Sequence, residues 1–137
     1  MRYLLLTPAI FLLSACVQPP KPLRGEFANV SPKAYQQNPQ ADLAIRWTGF
    51  VVDVDNNANS SCLIVRAKVP NEMAKPSYRY RVDQGRFIAC KPTFLEPASF
   101  INRPVTVTGK ARRLVHKKID EYDYAYPLVD AAVIFVW

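Results

Sequence analysis

Three cysteines, a lone histidine and seven tyrosines are the side chains with the widest chemical scope in this chain. The first cysteine has the clearest context. Leu13-Ser14-Ala15-Cys16 has the spacing of a bacterial lipobox: an aliphatic residue, two small residues, then cysteine. Each position has a chemical reason. The Cys16 thiol attacks the activated carbon of a diacylglyceryl donor to form a thioether, and the small Ser14 and Ala15 give a peptidase access to the bond before it. The freed amine of Cys16 is then open to N-acylation by a fatty acid such as palmitate. Arg2 supplies the positive start, and Tyr3 to Leu13 form an apolar run far short of the roughly 20 residues a permanent span needs. Residues 1–15 therefore read as a lipoprotein signal peptide. An ordinary signal with a nearby cysteine, or a buried apolar helix, accounts for fewer of these features. Two or three acyl chains, at about 0.8 kcal/mol per buried CH₂, make such anchoring effectively permanent.

Cys62 and Cys90 meet an oxidising compartment once the chain is exported. If their strands pair antiparallel with Leu63 and Val65 facing Ala89 and Phe87, Cys62 falls opposite Cys90, within bridging range. The same register sets Arg66 against Arg86, an unfavourable pair. A disulfide is the favoured reading; two separate thiols packed as small hydrophobes is the alternative.

His116 lies in the basic stretch Arg112-Arg113-Leu114-Val115-His116-Lys117-Lys118, and no cysteine–histidine metal spacing accompanies it. It reads as a solvated loop residue. Asp120, Glu121 and Asp123 suit acid–base work or a cation site in principle, but fit the polar positions of a turn better. No nucleophile motif or phosphate-cradling loop is visible, so the chain is not read as an enzyme, and no metal or cofactor is expected beyond the lipid on Cys16. The candidate binding surface is aromatic: Tyr122, Tyr124 and Tyr126 with Lys117 and Lys118, joined by Tyr78 and Tyr80 on the other long loop. Tyrosines there would stack on sugars or pack against a protein. The simpler alternative is that they cover the end of the fold.

The elements that must position these residues are mainly strands. With 137 residues, half of them hydrophobic and 21% charged, the chain can bury a core in one domain. Residues 16–44 read as the lipidated cysteine and a proline-rich tether, with Gln18-Pro19-Pro20-Lys21-Pro22 extended as a semi-rigid spacer. Ser31-Pro32 can open one short helix, Ser31 as N-cap, which Pro39 would end. The domain spans 45–137. Its first strand covers Ile45 to Val54, where the inward parity changes at Gly49 and predicts a bulge. A second strand follows at Cys62 to Val69, and a third ends at Gly85 to Cys90. A short helix is expected within Phe94 to Ile101. The fourth strand, Val105 to Arg113, alternates cleanly, with Thr106, Thr108, Lys110 and Arg112 outward. The last runs from Pro127 to Trp137. Three strands, a helix and two strands is the order of a five-stranded OB-like barrel; an open antiparallel sheet or small sandwich is the alternative.

The formal net charge of +7 admits nucleic acid, anionic lipid or plain solubility. Export argues against nucleic acid, and a lipid anchor brings the basic surface near headgroups. Val17, rather than aspartate, follows the lipidated residue. Aspartate there commonly retains a lipoprotein at the inner membrane, so its absence favours the outer membrane.

Several motifs recur together in order: Arg46-Trp47-Thr48-Gly49, Gly85-Arg86-Phe87-Ile88-Ala89, Phe94-Leu95-Glu96-Pro97 and Val105-Thr106-Val107-Thr108-Gly109. Ile119-Asp120-Glu121-Tyr122-Asp123-Tyr124-Ala125-Tyr126-Pro127 and Trp137 follow them. With the lipobox, this pattern resembles the Slp family of starvation-inducible outer-membrane lipoproteins across nearly the whole mature chain. The resemblance implies attachment to the outer membrane on its periplasmic side and a stress or starvation response. It brings no catalytic activity or ligand, and so no site residues. The Cys62–Cys90 pair is not carried over from the family. The chain stops at Trp137 where some members continue, so no role of such a tail is expected. Function is then read as a non-enzymatic envelope module whose partners are the membrane and an envelope protein or cell-wall glycan. A glycan- or small-ligand-binding module using the tyrosines is the alternative.

Overall fold

A computed structural model describes residues 9–10 and 16–137. The signal segment expected over 1–15 thus lies, apart from residues 9 and 10, outside the described residues. Strands β1 (Leu43–Asn56), β2 (Ser61–Lys68), β3 (Arg86–Lys91), β4 (Pro104–Ile119) and β5 (Tyr122–Val136) close into one barrel in the order β1-β2-β3-β5-β4. β3 and β5 pair in parallel, and every other neighbouring pair is antiparallel. A helical turn, α2 (Pro97–Phe100), lies between β3 and β4 with Pro97 in its first turn. This is the OB topology; the open sheet and the sandwich are excluded by the closed strand order.

The barrel interior follows from the period-two alternation of its strands. Leu63, Val65 and Ala67 of β2 face Phe87 and Ala89 of β3, Val105, Val107 and Ala111 of β4 and Val129 of β5, all buried. Trp47 packs on Phe87 with ring centroids 5.3 Å apart. Tyr35, from α1 (Pro32–Gln37), sits edge-on to Trp47 at 5.8 Å and adds to this core. α1 starts as the residues dictate: the Ser31 hydroxyl accepts from the Ala34 amide at 3.0 Å, with Pro32 at the first helical position.

Three expectations need correction. The bulge in β1 falls between Val51 and Asp53, not at Gly49. Odd positions stay inward through Ile45, Trp47, Gly49 and Val51, so Phe50 faces out and packs on Tyr78. Gly49 is needed for a different reason: a Cβ there would lie 2.1 Å from the Arg66 carbonyl oxygen on β2. Close approach of two backbones, not a bulge, excludes a side chain.

The tether expected over 16–44 is not a free spacer along its length. Leu23 and Tyr35 are fully buried, the Ala28 amide donates to the Ala44 carbonyl, and Trp47 Nε1 donates to the Val30 carbonyl at 2.7 Å. Arg46 donates to the Leu23 carbonyl and lies over the Phe27 ring. Burying a leucine is worth about 1.5–3 kcal/mol, enough to dock a strap whose apolar residues follow no regular period.

Thr106 and Thr108 point out of the barrel as expected, yet both are buried. The Thr106 hydroxyl donates to the Ala74 carbonyl at 2.5 Å and accepts from Trp137 Nε1 at 2.9 Å. Thr48 beside it donates to the Val105 carbonyl. The β2–β3 connection and the C-terminus therefore cover this outer face. Finally, β4 and β5 extend well beyond the expected spans, to Ile119 and back from Tyr122, making one long hairpin.

Candidate functional site

The long hairpin carries most of the residues singled out from sequence. Its turn is Asp120-Glu121, and Asp120 adopts a left-handed φ of 53°, a conformation aspartate tolerates better than most residues. Two of the three acidic residues are therefore turn positions, whereas Asp123 lies on β5. His116 lies on β4, not in a loop, and its Nδ1 stands 3.2 Å from the Asp123 carboxylate, both groups largely exposed.

The register divides the candidate surface. Lys117 pairs with Tyr124, Ile119 with Tyr122 and Val115 with Tyr126, so these share one face of the ribbon. Lys118 pairs with Asp123 and His116 with Ala125, which puts Lys118 on the opposite face. Lys117 itself is engaged by Asp55 of β1 at 3.5 Å. The three tyrosines differ sharply: Tyr122 is 80% exposed and Tyr126 only 2%. Tyr124 packs edge-on to Tyr126 at 4.7 Å, and its hydroxyl accepts from the Arg86 amide at 3.0 Å. Gly85, at φ +78°, brings that amide into place, and a Cβ there would stand 3.0 Å from the Tyr124 hydroxyl. Tyr124 and Tyr126 thus hold the ribbon against the barrel. Only Tyr122 of the three is free to meet a ligand.

Cys62 stands opposite Cys90 and the two are joined, S–S 2.05 Å. Arg66 faces Arg86 in the same register, and the exposure of Arg66 lets water screen the repulsion. The bridge sits on the outer face of β2 and β3, the face with which OB barrels often contact ligands. Beside it Ile88 is buried although it alternates with the inward Phe87 and Ala89.

Sequence reasoning joined Tyr78 and Tyr80 to the hairpin tyrosines. The structure gives them other neighbours. Tyr78 lies 5.7 Å from Phe50, and Tyr80 lines a groove of about 460 Å³ with Val17, Pro70, Met73 and Arg79. Cys16, next to Val17, is exposed and outside the disulfide. No sequence pattern placed Val17 beside this loop. A second groove, of about 430 Å³, runs between the strap and β1, lined by Phe27, Arg46, Trp47 and Lys68.

Electrostatics add one firm junction. Arg112, at a bulge in β4, lies between the carboxylates of Asp42 and Asp130, and hydrogen bonds to Asp130 and then Asp42 raise its pKa further above the ordinary arginine value. The cluster ties the strap to β5. Among the described residues no group of three or more His, Cys, Asp or Glu side chains is placed to hold a metal. No helix among them is long and apolar enough to cross a membrane.

Fold and surface together define a small OB-like barrel with an N-terminal strap docked on it and Cys16 exposed. The chain belongs to the Outer membrane lipoprotein Slp family, which it matches over residues 13–137. That membership puts the protein at the outer membrane in a non-enzymatic role. It is similar to an uncharacterized protein of Haemophilus influenzae, 31% identical over 140 residues, covering 98% of this chain and 75% of that protein. Among solved structures it is similar to a small single-stranded DNA-binding protein from Streptomyces coelicolor. There the identity is 16% and the TM-score 0.40, covering 71% of this chain and 95% of that one.

Proposed function

We propose that the mature protein begins at Cys16, is held on the periplasmic side of the outer membrane by diacylglyceryl and N-acyl chains on that residue, and serves as a non-enzymatic envelope interaction or structural module. The observation that carries this reading is the exposed Cys16 at the end of the lipobox Leu13-Ser14-Ala15-Cys16, in a chain of an outer membrane lipoprotein family. Residues 1–15 are then the cleaved signal, and the segment before Leu23 is the part of the tether without a buried side chain. A role in stress or starvation is part of the same reading. The barrel, closed and strapped, suits a rigid body that presents surfaces rather than a pocket that turns over substrate. The split tyrosine face lends no specific support to a glycan site.

Feeding cells an alkyne fatty acid tests the anchor. The protein should carry the label, fractionate with outer membranes and lose both properties in Cys16→Ser. An unlabelled mature chain with an intact Cys16 thiol would overturn the reading.

A further inference from the structure

The loop joining β2 to β3 exposes apolar and basic side chains where the mature chain begins. Nine large hydrophobic side chains are exposed among the described residues. Four of them, Met73, Tyr78, Tyr80 and Val82, lie on this loop, and a fifth, Val17, lines a groove with Met73 and Tyr80. Chance scatter of exposed apolar groups is normal, but a cluster marks a contact surface. Arg79 and Arg81 alternate with the two tyrosines and are exposed; neither enters an ion pair among the described residues. Of the loop's two acids, Asp83 is engaged by Lys33 at 3.7 Å, leaving Glu72 against two arginines and Lys75.

The loop is also held firmly at its base. The Asn71 side chain accepts from the amides of Met73 and Lys75, the Ser77 amide donates to the Val69 carbonyl, and Thr106 holds Ala74. Lys75 lies over the Trp137 ring. A base held in this way fixes where the segment Tyr78 to Val82 leaves the barrel, and Tyr78 packs on Phe50 at 5.7 Å. Tyrosine with arginine is the composition of a membrane–water interface: rings sit at headgroup level while guanidinium groups reach phosphates.

We propose that this loop is a second membrane contact, which lays the barrel loop-side down on a bilayer containing anionic phospholipid. The inference rests on Cys16 being the anchor: Val17 lines the same groove as Met73, Arg79 and Tyr80, so the acyl chains enter the bilayer beside the loop. With the lipid attached at Cys16, next to Val17 in that groove, the surface that meets the loop is the bilayer itself.

Hydroxyl-radical footprinting tests it, with Tyr122 as an internal standard on the hairpin. Protein purified from its own membranes is reconstituted into vesicles of phosphatidylethanolamine with phosphatidylglycerol, or of phosphatidylcholine alone. Flotation scores anchoring. If the protein does not float, the anchoring reading has failed, and docking is scored on protein coupled through its Cys16 thiol to a maleimide lipid. Oxidation of Met73, Tyr78 and Tyr80 relative to Tyr122 should fall several-fold on the anionic vesicles. It should recover on phosphatidylcholine, and also in Arg79→Glu/Arg81→Glu on either vesicle. Equal oxidation of loop and hairpin tyrosines on anionic vesicles overturns the proposal. So does protection that survives charge reversal, or protection that scales with protein density and so reports contact between copies.

Discussion

The two tyrosine-bearing regions of this protein use the same side chain in opposite ways. On the β4–β5 hairpin, Tyr126 is buried and Tyr124 spends its hydroxyl on the Arg86 amide. On the β2–β3 loop, Tyr78 and Tyr80 keep more than half of their surface in water. The hairpin tyrosines repeat every second residue in a strand paired with β4, so one face of the ribbon carries all three. Tyr124 and Tyr126 meet the barrel there, and Tyr122, next to the turn, lies beyond it. The loop tyrosines also alternate, yet no ladder pairs their backbone, and a period of two without a partner strand does not decide which side is buried. Tyrosine count therefore says little about binding. The bonding of the backbone beneath it says more.

The largest test of this contrast is Tyr126→Ala. Removing a buried aromatic ring should cost about 3–5 kcal/mol, read as a large fall in the denaturation midpoint; a change near zero would mean the hairpin is not seated. Opening the Cys62–Cys90 bridge comes next. Closing a loop of this length contributes about 3–4 kcal/mol in the chain-entropy model, so Cys62→Ser/Cys90→Ser should lose that much. Alkylation without reductant should leave both residues unmodified, and two alkylated thiols would refute the bridge.

Tyr35 extends the buried class beyond the hairpin and adds a pH dependence. Burial raises its pKa above the ordinary value near 10, and the nearby Asp42 carboxylate adds to the rise. The folded state then holds the proton more tightly than the unfolded state. Its contribution is complete below about pH 10 and is lost as pH rises through the elevated folded value. Tyr35→Phe should cost about 1 kcal/mol at neutral pH and flatten the fall of Tm above pH 10. Parallel Tm curves for the two proteins would contradict this. The smallest effect belongs to the loop: Tyr78→Ser/Tyr80→Ser should change stability by no more than about 0.5 kcal/mol per site. A larger loss would place these rings in the core energetics and erase the contrast.

Much of the barrel was legible because alternation reports burial directly wherever both neighbours of a strand are β. Leu63, Val65 and Ala67, or Val105, Val107 and Ala111, leave one register in which the core is dry. The OB strand order followed from those runs and from Pro97 marking α2. What escaped was of a different physical kind. The β1 bulge was misplaced because Phe50 and Val52 are apolar whichever way they face. Leu23 and Tyr35 dock through strap contacts with no period to betray them. Thr106 faces outward as its alternation indicates, but its burial was not legible, because its cover, Ala74 and Trp137, comes from distant parts of the chain. At the candidate surface, the residue types were identifiable but their faces were not. Lys117 and Lys118 are adjacent in sequence and so, once both lie in a strand, necessarily point apart.

Closure of the strand order β1-β2-β3-β5-β4 has a consequence for a protein confined to a surface. Molecules held on one leaflet meet one another far more often than molecules free in three dimensions. An open sheet edge would then template intermolecular pairing. The closed order leaves no such edge around the barrel, and the β4–β5 ribbon beyond Arg113 carries Lys117, Lys118 and Asp123. Crowding, which would turn an open sheet into an aggregation hazard, finds here a surface with little to polymerise.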